Sequence, residues 1–162
     1  MTTRLLALTV ALATIGFVAA ANAESPISTL EFRLAVTEPT DGYEKHTEPT
    51  KEDPIYVSDD AVVTGVDIEK VSFFNDPNGH PAVGFVLTDD GSERFWNATS
   101  QNTGKKVAVL LDGKVISAPR INQGIKKEGT ITGNFDDDDL LRFFTAIVLR
   151  KSRDPENSQV GE

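Results

Sequence analysis

Lys106-Val107-Ala108-Val109-Leu110-Leu111-Asp112-Gly113-Lys114-Val115-Ile116-Ser117-Ala118 sets two β-prone runs either side of an Asp-Gly pair. A two-residue hairpin loop needs positive φ at both central positions, and Asp-Gly supplies it with little strain. Pro119 ends the second run. Upstream, Ala82 to Thr88 alternates, with Val83, Phe85 and Leu87 on one face. Asp89-Asp90-Gly91-Ser92 then opens a helix whose Phe95, Ala98 and Thr99 share a side, and Gly104 suits its left-handed stop. Downstream, Gly129 to Phe135 reads as a further strand. Asp136 begins a second helix with Leu140, Leu141, Phe144, Ile147 and Val148 along one broad face, followed by the cationic Arg150, Lys151 and Arg153. Strands outnumber helices and hairpins dominate. The fold class is α+β: an antiparallel sheet with hairpins, packed by two helices.

Towards the N-terminus, Leu30 to Val36 starts with apolar–polar alternation and reads as a strand. Thr37 to Pro54 holds three prolines and six acids and reads as a loop or flexible acidic arm. Ile55-Tyr56-Val57, Ala61 to Ile68 and Val71 to Phe74 are short β-prone pieces, with Gly65 placed for a bulge or bend. Asp76-Pro77-Asn78-Gly79 is a turn. Met1 to Ala23 has Arg4, an apolar run from Leu5 to Ala21, and Ala21-Asn22-Ala23 at its end. This is the layout of a cleaved secretory signal peptide. Residues 24–54 then carry the first strand and the arm, 55–150 the main domain, and 151–162 a disordered tail.

Composition excludes several classes. Without Arg4, 15 basic residues face all 25 acidic ones, a net charge of −10 that repels nucleic-acid backbones and anionic lipid. No second apolar segment approaches membrane length, so the mature chain is expected not to insert stably in a membrane. With no cysteine, disulfides, thiol catalysis and cysteine metal sites are ruled out.

Asp136-Asp137-Asp138-Asp139 lacks the alternating ligands and central Gly of a calcium loop and reads as a helix start. Asp89-Asp90 reads the same way. Two carboxylates adjacent in sequence do not face each other across a sugar. An acid-assisted hydrolase using these groups would need them to converge in a cleft with raised pKa values. His46, in the acidic arm, and His80, beside Pro81, have neither zinc nor triad spacing and read as solvent-facing turn residues. Asn97-Ala98-Thr99 matches a glycosylation sequon but falls inside a helix. No catalytic residue, metal or cofactor is assigned, and the chain is not expected to be an enzyme. Phe95 and Trp96 point about 100° apart on their helix. Trp96 therefore sits on the flank, as a half-buried cover for the sheet edge or as a contact for a partner chain.

The stretch from Gly79 to Phe135 also resembles a known family. Gly79-His80-Pro81-Ala82-Val83-Gly84-Phe85-Val86-Leu87-Thr88 leads to Gly91-Ser92-Glu93-Arg94-Phe95 and Thr99. Asn102, Gly104 and Lys105, then Val107 to Val115, Ser117-Ala118-Pro119 and Ile131-Thr132-Gly133-Asn134-Phe135 follow in order. Together they resemble the head subdomain of the large periplasmic domain of SecD and the fused SecDF, as do Leu30 to Arg33 and Val62 to Ile68 upstream. The resemblance spans roughly Leu30 to Val148. It implies a bacterial periplasmic module of the Sec pathway that binds unfolded or translocating polypeptide or docks on translocon components. The chain lacks the family's membrane helices, its Gly-rich Leu-Asp-Leu element and its Gly-Ala-Leu-Pro ending. The implied protein is a free-standing head without proton-driven motor activity. The alternative is a module that kept the fold and binds another exported partner or a small ligand.

Overall fold

The computed structural model describes residues 28–49, 51–133 and 135–151. The signal segment 1–23 and residues 152–162 of the tail lie outside the described residues. The elements run β1 (Leu30–Val36), β2 (Tyr43–Thr47), β3 (Pro54–Thr64), a 3-10 turn (Gly65–Asp67), β4 (Ile68–Asn75), β5 (Pro81–Leu87), α1 (Asp89–Gln101), β6 (Lys106–Leu111), β7 (Lys114–Ser117), β8 (Glu128–Thr132) and α2 (Asp137–Lys151). The fold is α+β with antiparallel pairing throughout. There are two sheets rather than one, ordered β2-β3-β1-β6-β7 and β4-β5-β8.

The β6–β7 hairpin closes through Asp112 and Gly113 at φ 51° and 77°, the positive pair its loop length demands. Every residue from Val107 to Leu111 is buried. Val107, Val109 and Leu111 enter the main core, whereas Ala108 and Leu110 enter a smaller cluster with Ala35, Ile55, Val57, Val115 and Ala118. The strand is thus covered on both faces, which is why its run is continuous rather than alternating. The main core joins both sheets to both helices, through Phe32 and Val63, Val83 and Phe85, Phe95 of α1, and Phe143 and Ile147 of α2.

The turn Gly65–Asp67 is where the helices meet. Asp67 accepts from the Thr64 N–H at 2.8 Å, its carbonyl accepts from the Thr88 N–H at 2.8 Å, and its carboxylate pairs with Arg94 of α1. A Cβ at Gly65 would lie 3.2 Å from the Ala146 carbonyl of α2. Gly65 therefore permits a close approach of α2 instead of bending a strand. Ile55-Tyr56-Val57 and the Ala61–Thr64 part of the next β-prone piece are one strand, β3, which pairs with β1 through two register shifts, while the rest of that piece is the turn and the first residue of β4.

The acidic stretch after β1 differs most from its reading. Tyr43–Thr47 is a strand paired with β3, and His46 is half-buried opposite Ile55 rather than in a turn. Glu48 just beyond is buried, and its carboxylate takes the Lys106 ammonium at 2.8 Å. Lys106 also donates to the Ala118 carbonyl at 3.3 Å. A buried carboxylate requires such a partner, so this pair fixes the end of β2 against β6.

On α2 the buried side is Phe143, Ala146 and Ile147, with Leu140 packed beside them. Leu141 and Phe144, assigned to that face from spacing, are exposed. The helix carries apolar neighbours at 140/141, 143/144 and 147/148, so periodicity alone supports either side. Phe143→Ala should lower the unfolding free energy by about 3–5 kcal/mol, and Phe144→Ala by less than about 1 kcal/mol. Urea unfolding of both variants checks the assignment.

Candidate functional site

Rings from three elements converge beneath an open cavity. Phe32 of β1 lies 5.2 Å from Phe85 of β5 and 5.7 Å from Phe95 of α1, and Phe85 and Phe95 are 6.4 Å apart. All three are core side chains, at most 5% exposed, and they back a cavity of about 590 Å³ that Val107, Val109, Ile125 and Ile131 also line. Trp96 stands at its rim, 39% exposed.

A strap, residues 119–127, crosses from β7 to β8 and forms one wall. The Gly104 N–H donates to the Ile121 carbonyl at 2.8 Å, and the Ile125 N–H donates to the Thr99 hydroxyl at 2.8 Å. Thr99 is fully buried, and its hydroxyl donates to the Phe95 carbonyl at 2.6 Å. Gly124 passes under Trp96 so closely that a Cβ there would sit 2.6 Å from the ring. The Lys126 ammonium lies 5.2 Å from the Trp96 ring centroid, a cation–π contact. The sequon threonine is thus committed to the strap.

β8 forms another wall. The Leu87 N–H donates to the Lys127 carbonyl at 2.8 Å, and the Ser117 hydroxyl donates to the Thr132 carbonyl at 2.7 Å. Backbone polar groups alternate sides along a strand. Those of Glu128 and Thr130 therefore point away from β5, as does the Thr132 carbonyl. Gly129 faces Phe85, where a Cβ would stand 2.5 Å from the ring. Gly129→Ala should push that ring into the cavity and destabilise the chain by about 1–3 kcal/mol, read as a lower urea midpoint.

The acids do not assemble a cleft. Asp89 and Asp90 open α1, and Asp136 to Asp139 open α2, where the Asp139 N–H donates to the Asp136 carboxylate at 2.8 Å. The Lys127 ammonium, 2.7 Å from the Asp89 carboxylate, holds that carboxyl below its ordinary value, the opposite of a raised catalytic acid. His80, an exposed turn residue, lies 3.7 Å from Asp76. Among the described residues no group of three or more His, Cys, Asp and Glu side chains is placed to hold a metal. No described helix is long and apolar enough to cross a membrane.

Asp76 is likewise held low, chiefly by the backbone N–H of His80. A carboxyl lowered on folding contributes stability above its unfolded value, 3.8 for both groups, and loses it as pH falls through the folded value. Unfolding free energy should decline from about pH 4 downward, and less steeply in Asp76→Asn and Asp89→Asn. Urea titrations at stepped pH measure both slopes.

Trp96, the one residue singled out from sequence as a partner contact, borders the cavity. The strap and Gly129 were not singled out. Their signal was Ile121 and Ile125 set among Pro119, Gly124 and Gly129 in a polar stretch.

Over residues 41–151 the chain matches the family of SecDF P1 head subdomains. It is 37% identical over 118 residues to the protein translocase subunit SecD of Aquifex aeolicus, covering 67% of this chain and 24% of that one. With SecD of Rhodobacter capsulatus it shares 42% over 90 residues, 55% of this chain and 16% of that one. The chain thus spans about a quarter or less of these relatives' length. Among solved structures, one described as a membrane component SecDF that enhances protein export superposes with TM-score 0.57 at 24% identity, over 76% of this chain and 62% of that one. That likeness shows the shared fold. The chain belongs to the SecDF P1 head subdomain family.

Proposed function

We propose that this chain is an export module of the bacterial periplasm that holds an extended, unfolded polypeptide in the cavity under Trp96. It would do so at the translocon and without motor activity of its own. The observation that carries the reading is the cavity itself: about 590 Å³, floored by three phenylalanines and bordered by β8 with its outward-facing backbone. An incoming chain would pair with Glu128 and Thr130 and insert one apolar side chain against Phe85 and Phe95. Such a mode reads backbone and hydrophobicity rather than sequence, as a translocating chain requires. The family match supports the export setting. Boundaries follow the same reading: residues 1–23 a removed signal, 24–54 the first strand and acidic arm, which supply Phe32 to the site, 55–150 the rest of the binding domain and 151–162 a tail.

The cavity volume also lies within the range of small-molecule sites, about 300–1,000 Å³, which favours a small apolar ligand as the second reading. The two separate on titration of the purified chain with an unfolded secretory polypeptide, followed by Trp96 fluorescence and calorimetry. Saturable binding that the folded form of the same polypeptide does not reproduce is expected. Trp96→Ala should weaken it at least about tenfold, some 1.4 kcal/mol, while lowering stability by about 1–3 kcal/mol for the covered part of the ring, too little to unfold the chain. Retained polypeptide binding in Trp96→Ala would remove the cavity from the mechanism. No binding at all would leave the small-ligand reading.

A further inference from the structure

β4 ends the smaller sheet, and among the described residues no strand pairs with its outer side. Its hairpin with β5 closes where the Asp76 N–H donates to the His80 carbonyl at 2.8 Å. Antiparallel bonding alternates from there, so Phe74↔Ala82 and Ser72↔Gly84 are the bonded pairs. The backbone N–H and C=O groups of Val71, Phe73 and Asn75 therefore point outward. Soluble proteins guard such edges with proline, charge or a bulge. Here the register shift between Ile68 and Lys70 protects only the start. From Lys70 to Asn75 there is no proline, and Phe73 and Phe74 are 42% and 46% exposed on opposite faces.

We propose that this edge docks a second copy of the chain, strand against strand, about a twofold axis through Ser72. Antiparallel self-pairing there sets Val71 opposite Phe73 of the second copy, and Phe73 opposite its Val71. Both pairs use outward-facing backbone, giving four hydrogen bonds. Lys70 then lies over Phe74 of the second copy, the same kind of contact that Lys126 makes with Trp96. Both exposed phenylalanines are covered by one register. Charge selects the same direction. Lys70 stands near one end of the strand and Asp76 just past the other, so antiparallel copies set opposite charges on neighbouring positions of one face, twice over. Parallel copies would align like with like.

Sedimentation equilibrium of the purified chain from about 1 μM to about 500 μM should show a monomer–dimer equilibrium. Each copy carries a net charge of −9, so association should tighten as salt screens the repulsion. The chain has no cysteine, so Ser72→Cys introduces a single thiol. Facing its own symmetry mate across a non-bonded pair, it lies at disulfide distance. Mild oxidation should link native Ser72→Cys chains, while chains unfolded in urea should link far less. Phe73→Pro removes an outward donor that an edge can spare and should weaken self-association at least about tenfold. A chain that sediments as a monomer throughout overturns the proposal, as does a dimer in which Ser72→Cys stays unlinked. If Phe73→Pro leaves self-association intact and abolishes binding of unfolded polypeptide, the edge takes a foreign strand and the proposal fails.

Discussion

The contact among Phe32, Phe85 and Phe95 is the one on which the rest depends. β1 belongs to one sheet, β5 to the other and α1 to neither, and these rings meet at interplanar angles of 58° to 76°. Tilted pairs of this kind contribute about 0.5–1.5 kcal/mol each beyond the area they bury. The rings also floor the cavity, so the interaction that joins the layers shapes the site. A substitution that loosens the core there changes the shape of the cavity directly.

Polar ties hold the surrounding segments to that centre. Asp67 binds Thr64, Thr88 and Arg94 at the turn between the sheets, and Thr99 holds the strap against α1. Among the described residues, no buried side-chain nitrogen or oxygen is left without a hydrogen-bond partner. An unsatisfied buried group costs roughly 1–3 kcal/mol, so this completeness matters in a chain without cysteine. Cohesion comes from packing and from such ties alone.

The parts legible in the sequence were those whose signal is local. Asp112-Gly113 sets its own loop conformation, and α1 is bounded by an acidic start and Gly104. Three features were not legible, each for a physical reason. β2 is Tyr-Glu-Lys-His-Thr, a polar edge strand whose pairing is dictated by β3 rather than by its own pattern. The buried face of α2 is chosen by the turn at Gly65 and by Phe135, which lies 5.6 Å from Phe143. The cavity draws on β1, β5, α1, β6, β8 and the strap, so no short window contains it. Trp96 could be placed on a flank from helix geometry, but what lay beneath it depended on those distant pieces.

The position of β1 has a consequence for the order of events in folding. It is the middle strand of the larger sheet, with Leu30 opposite Leu111 and Phe32 opposite Val109. Folding in chain order, the β1–β3, β2–β3 and β4–β5 pairings can form early, but the other side of β1 waits for β6, some eighty residues later. Closing a loop of that size is slow and leaves apolar strands without cover meanwhile. One side of β1 therefore stays uncovered until β6 docks against it.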